Sequence, residues 1–164
     1  MKPEKRDVEI ELLLRIIDQS YDYTAWHGTN LRNSLRGLTA EQAAWRPAPG
    51  RHNIWEIAVH TAYWKYIVRR RLLREPRGSF PLKGSNWFVR PGSGGCKEWK
   101  ADLALLDDIH CSMREAISGL PRRALYARAH GSRVSNASTI YGIASHDVYH
   151  AGQIQLLKRM LRAS

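Results

Sequence analysis

With 164 residues, the chain is long enough to form one domain, residues 1–164, with a full hydrophobic core. Apolar and aromatic residues make up 43%, which excludes a disordered chain, and two cysteines, Cys96 and Cys111, exclude a disulfide framework. The excess of 26 Lys and Arg over 15 Asp and Glu, a formal charge of +11, invites a nucleic-acid partner; however, the basic runs at Arg69 to Arg71, Arg122 to Arg123 and Lys158 to Arg159 fall near predicted helix ends, where cations favour the negative pole of the helix dipole.

The segment from Met1 to Asp7 is charged and lacks the pattern of a signal peptide. No apolar run approaches the roughly 18 residues of a membrane span. A soluble cytoplasmic protein without a membrane partner is the expectation. The first predicted helix runs from about Lys5 to Arg36. Ile10, Leu14, Ile17, Tyr21, Thr24, Gly28, Leu31 and Leu35 form its seam in steps of four and three, and Gly37 follows as a stop. Thr39-Ala40-Glu41-Gln42 has capping-box form and predicts a short helical turn. Asn53 caps a second long helix that carries Glu56 and His60 and ends near Arg74, before Pro76.

Residues from Arg77 to Gly95 read as a long loop, either a functional flap or a surface excursion, with Phe80, Trp87 and Phe88 as anchors. The third helix, about Lys97 to Ser118, presents Trp99, Leu103, Leu106, His110, Met113 and Ile117 on one seam. A looser stretch follows from Arg122 to Asn136. The fourth helix, about Ser138 to Arg162, turns Ile143, His146, His150, Gln153, Leu157 and Met160 inward. Four amphipathic helices without strand-like alternation argue an all-α four-helix bundle with long crossover connections.

His146 and His150 are four apart, so their rings stand one above the other on a single helix face. His60 occupies a core-facing position on the second helix. Burying three imidazoles costs several kcal/mol unless each finds a partner. One divalent metal would satisfy all of them, and a core polar network is the alternative. Three nitrogen ligands leave a coordination position open, as catalytic metal sites do. Glu56 is a candidate to orient His60 or to act at the metal, against a role at the helix start. His110 is a candidate ligand or acid–base group, against a hydrogen-bonded core histidine. Asp147 points about a hundred degrees from His146 and is expected at the surface or in a helix–helix contact. Gly152 is expected to serve close helix packing, and both cysteines to be buried, inert thiols.

The segments Trp26-His27-Gly28, His52-Asn53-Ile54-Trp55-Glu56 with His60, and His146-Asp147-Val148-Tyr149-His150-Ala151-Gly152-Gln153-Ile154 resemble the DinB/YfiT-like superfamily of metal-dependent four-helix bundles, over nearly the whole chain. The resemblance implies a metal triad of His60, His146 and His150, zinc or nickel as the ion, and frequent homodimers. It implies a metal-dependent enzyme acting on a small-molecule substrate, either a transferase using a low-molecular-weight thiol or a hydrolase. His27, His52 and Trp87 are the candidates for contacting substrate or thiol at the bundle mouth, against packing or capping. Two other functions stand beside this one: a non-catalytic metal- or ligand-binding bundle, such as a stress-related dimer, and nucleic-acid binding. An open cleft over the histidines would favour the enzyme, whereas a sealed site would favour the binding module.

Overall fold

The computed structural model describes residues 7–76, 78, 80–92, 95–129 and 132–163. Among these, every regular element is a helix: α1 (Val8–Tyr21), α2 (Leu31–Leu35), α3 (Ala40–Ala44), α4 (Ile54–Leu72), α5 (Cys96–Ser118), α6 (Arg122–Tyr126) and α7 (Asn136–Ala163). The all-α expectation holds. The long helices α1, α4, α5 and α7 surround the core, α4 packing on α5 and α7, and α1 on α7 and α5. The predicted caps form. Asn53 Oδ1 accepts the Glu56 N–H at 2.8 Å, and Thr39 and Gln42 close a reciprocal capping box at the start of α3.

A continuous first helix does not form. α1 stops at Tyr21, and Asn30 starts α2 afresh by accepting the Asn33 N–H at 3.1 Å. The Asn30 amide also donates to the Tyr23 carbonyl at 2.7 Å, closing the connection from 22 to 29. Gly28 there has a φ of 98°, which no helix tolerates and glycine adopts without strain. Trp26, His27 and Gly28 therefore lie in an exposed loop rather than on a helix. Thr24 and Gly28 leave the seam; Leu31 and Leu35 rejoin the core from α2.

Smaller corrections concern single faces. Met160 is exposed rather than inward, because the last turn of α7 extends past the core. Cys96 and Cys111 are exposed rather than buried. Cys111 follows His110 by one residue, which rotates it off the buried line of α5. Gly152 faces solvent, and a Cβ built there meets nothing, so it serves no close packing. The stretch after α5 contains α6, anchored by the buried Leu125.

Each long helix sends one polar side chain into a common layer. Tyr21 of α1, Lys65 of α4, His110 of α5 and Asp147 of α7 are all buried. Along their helices they sit between two apolar clusters, one around Trp55, Leu31 and Leu106, the other around Ile17, Met113 and Ile140. Lys65 Nζ donates to Asp147 Oδ2, and both side chains are wholly excluded from solvent. The Lys65 ammonium also lies 5.1 Å from the centre of the Tyr21 ring. Burial pushes Lys65 down and Asp147 up, and each partner opposes the other's shift. Asp147 thus makes a helix–helix contact.

His110 stacks on Tyr21 with ring centres 3.6 Å apart, and its buried Nδ1 has no partner among the described residues. Burial, followed by the nearby Lys65 and Arg114 charges, pushes its pKa down to about 2. In the unfolded chain an imidazole titrates near 6.5, so the unfolded state takes up the proton first as pH falls. The stability carried by neutral His110 is complete above about pH 6.5 and is lost progressively below it. His110→Phe keeps a ring on Tyr21 and removes the titration. It is expected to reduce the fall in thermal midpoint between about pH 7.5 and about pH 5, measured by circular dichroism on metal-free protein.

Several of the arginines are paired internally. Arg114 pairs with Asp18 at 2.6 Å, Arg32 with Asp107 at 2.8 Å, Arg122 with Glu9 at 3.1 Å and Arg69 with Glu75 at 2.9 Å. Among the described residues, no helix is long and apolar enough to cross a membrane.

Candidate metal centre

α4 carries His60 and α7 carries His146 and His150, one helical turn apart. Where α4 and α7 pack, the three rings meet. His146 Nε2 lies 3.2 Å from His60 Nε2 and 3.1 Å from His150 Nε2. One nitrogen from each ring falls within 4.8 Å of both others. Ligands at about 2.1 Å from a tetrahedral ion stand about 3.4 Å from one another, so the spacing suits a single cation.

The outer edges of two rings are fixed. His60 Nδ1 meets the Asn86 carbonyl at 2.8 Å; a carbonyl only accepts, so Nδ1 carries the proton. His150 Nδ1 meets Gln153 Oε1 at 2.6 Å, and the Gln153 amide is oriented by donating to Tyr149 Oη at 3.0 Å. His150 therefore also carries its proton on Nδ1. In both neutral rings Nε2 is left as a lone pair directed at the common point. Burial, reinforced by the neighbouring imidazoles, pushes His146 down to about 3 and His150 down to about 4. Burial lowers His60 as well. Neutral rings with converging lone pairs have at most one N–H, on His146, to share between two acceptors. A divalent cation meets the need that this proton cannot, and the donor set fits it.

The loop from 80 to 92 covers one side of the site. Phe80 and Phe88 are buried in the core, and Arg90 pairs with Asp102 of α5 at 2.6 Å. Between these anchors, Asn86 adopts a φ of 64°, a left-handed conformation that asparagine tolerates. It supplies the carbonyl to His60 and accepts the Trp64 indole N–H through Oδ1 at 2.9 Å. The next residue, Trp87, lies flat between two imidazoles, 3.9 Å from His60 and 3.6 Å from His52, ring centre to ring centre.

The other side opens into a cleft of about 920 Å³. Its walls are largely apolar, from Ile57, Leu156, Leu157, Met160 and Trp87, with Arg51, His52 and Tyr149 as the polar side chains beyond the histidines and their partners. The guanidinium of Arg51 has no ion-pair partner among the described residues. Among the described residues, no carboxylate lines the cleft.

The remaining candidates are distributed as follows. His52 and Trp87 line the cleft. The Glu56 carboxylate is bound by Arg46 and by His52 Nδ1 at 3.0 Å rather than by His60. His110 belongs to the polar layer, not to the histidine cluster. His27 is exposed beside a separate small cavity between α1 and α7. Asn86, Tyr149 and Arg51 escaped the sequence reading. The spacings Tyr149/Gln153 and His150/Gln153, four and three apart, could have indicated the hydrogen-bonded chain on α7; Asn86 lies in a loop without a periodic signal.

Gln153→Ala removes the acceptor that orients His150. Metal affinity, measured by competition with a chromogenic chelator, is expected to fall about 10–100-fold.

A family model described as the DinB superfamily matches residues 23–154. No curated protein and no solved structure matches the chain.

Proposed function

Because the chain belongs to the DinB superfamily, we propose that it is a metal-dependent enzyme whose His60, His146 and His150 hold one divalent ion, zinc or nickel, for thiol S-transfer to a small organic substrate. Hydrolysis of such a substrate is the neighbouring reaction class. The observation that carries this reading is the open, apolar cleft directly over three converging Nε2 atoms. A site that only stored metal would have no need of that opening. When bound, the ion supplies a Lewis acid that holds and acidifies a sulfur or oxygen nucleophile. The chain's own residues do the rest. Asn86 and Gln153 keep His60 and His150 in the tautomer that directs lone pairs inward. Trp87, Ile57 and Leu157 exclude water from the reacting region and offer apolar contact to the body of the substrate. Arg51 at the cleft is placed to attract an anionic group on the substrate or thiol.

In this reading the four long helices form the bundle and the chain works as a homodimer, which light scattering tests directly. The activity is tested by screening zinc- and nickel-loaded protein with glutathione, bacillithiol or mycothiol against small electrophiles, and with esters and amides for hydrolysis. Thiol-dependent turnover that disappears in His60→Ala supports the proposal. A fully loaded protein that turns over no substrate of either class contradicts it.

A further inference from the structure

The loop before α4 and the first turn of that helix build a second constellation at the cleft. Glu56 is buried, and Asn53 Oδ1 fixes its backbone N–H at 2.8 Å. Arg46 grips the carboxylate with both terminal nitrogens, Nη1 lying 3.0 Å from Oε2. On Oε2 the carboxylate also receives His52 Nδ1 at 3.0 Å. Burial alone would raise Glu56, but the bonds from Arg46 and His52 hold it below the usual carboxylate range, so it stays an acceptor. His52 Nδ1 must then donate, and the neutral ring presents Nε2 as a free base on its opposite edge. Nε2 has no partner among the described residues. Stacking on Trp87 at 3.6 Å and 7° fixes the ring plane, and the same indole stacks on His60 at 3.9 Å. His52 is therefore held one indole away from the metal-ligating ring, facing the same cleft.

We propose that His52 is the proton acceptor of this site, oriented by Glu56 and Arg46 as positioning residues. This rests on the thiol-transfer reading above. As the thiol enters, its S–H bond breaks, the electron pair stays on sulfur, and a new N–H bond forms at His52 Nε2. The imidazolium is balanced by Glu56 through Nδ1–H. When sulfur forms its bond to the electrophilic carbon, the bond from that carbon to the leaving group breaks with its electron pair, and the proton passes from Nε2 to the leaving group. The charged and titratable groups around His52 are Arg46 and Arg51 on its own segment, Glu56 and His60 on α4, and His146, Tyr149 and His150 on α7. The Tyr149 hydroxyl already accepts from Gln153. The histidine triad is occupied by its metal. His52 is what remains at the cleft to exchange a proton with the thiol.

Two measurements on zinc-loaded protein test this. Nitrogen-15 NMR of the neutral His52 ring should find its proton on Nδ1; a proton on Nε2 overturns the proposal, whatever the enzyme's reaction. Binding of 2-mercaptoethanol should then be followed by calorimetry in two buffers of different ionisation heat. Relative to wild type, His52→Gln should release up to about one more proton to the buffer per thiol bound, with zinc content unchanged. An unchanged proton count in His52→Gln, or a change found in Tyr149→Phe instead, overturns it. If wild type binds no thiol, the thiol-transfer reading fails with the proton step that depends on it, while the tautomer still decides whether Glu56 presents His52 as a base.

Discussion

Lys65→Met is expected to destabilise the chain by about 3–5 kcal/mol, read as a lower midpoint in urea unfolding. The substitution keeps the length of the side chain and deletes its charge. Asp147 is then left wholly buried without the ammonium that pairs with it, and its second oxygen, Oδ1, already has no partner among the described residues. The cost comes from that stranded carboxylate rather than from the lost attraction alone. Lys65→Met combined with Asp147→Leu is therefore expected to recover most of the loss, because two apolar residues need no partner. The pair also bears on the site. Asp147 follows His146 by one residue, so the bond to α4 fixes the rotation of α7 about its axis. That rotation aims His146 and His150 at His60. The double variant should regain stability yet bind zinc more weakly than wild type, which separates the structural effect from the positional one.

The second large effect concerns His146, whose Nε2 lies 3.2 Å from that of His60 and 3.1 Å from that of His150. Zinc held at 100 times its dissociation constant should stabilise wild type by about 2.7 kcal/mol, raising the thermal midpoint by about 5–10 °C. In His146→Ala the same zinc concentration should give a shift near zero. The metal-free variant should be at least as stable as metal-free wild type, since His146 Nδ1 is buried without a partner and its loss relieves that burden. Equal zinc-induced shifts in the two proteins would mean that His146 is not a ligand.

Periodicity and caps made the helices legible in advance. The seams of α5 and α7 placed Trp99, Leu106, Met113, Ile143 and Leu157 in the core, where they are buried. Asn53 and Thr39 announced their helices because capping is local chemistry between neighbours in sequence. The i,i+4 spacing of His146 and His150 fixed their common face, and the seam of α4 turned His60 inward. The break after Tyr21 was misread because the heptad-like pattern happens to continue through Thr24 and Gly28. The stop depends on Asn30 and on the positive φ of Gly28, and periodicity does not register either. The loop contributions were illegible for a different reason. Asn86 and Trp87 reach His60 through a backbone carbonyl and a stacked face, and these depend on where Phe80, Phe88 and Arg90 anchor the chain. The polar layer was half visible. His110 stood out on its seam, but Lys65 did not, because a lysine on a helix ordinarily reaches solvent.

The proposed function stands on His60, His146 and His150 binding one cation together. Elemental analysis of purified protein, loaded with equal concentrations of zinc and nickel and then dialysed, tests it most directly. About one metal ion per chain is expected in wild type and almost none in His146→Ala. A wild-type chain that retains no more metal than the variant would contradict it.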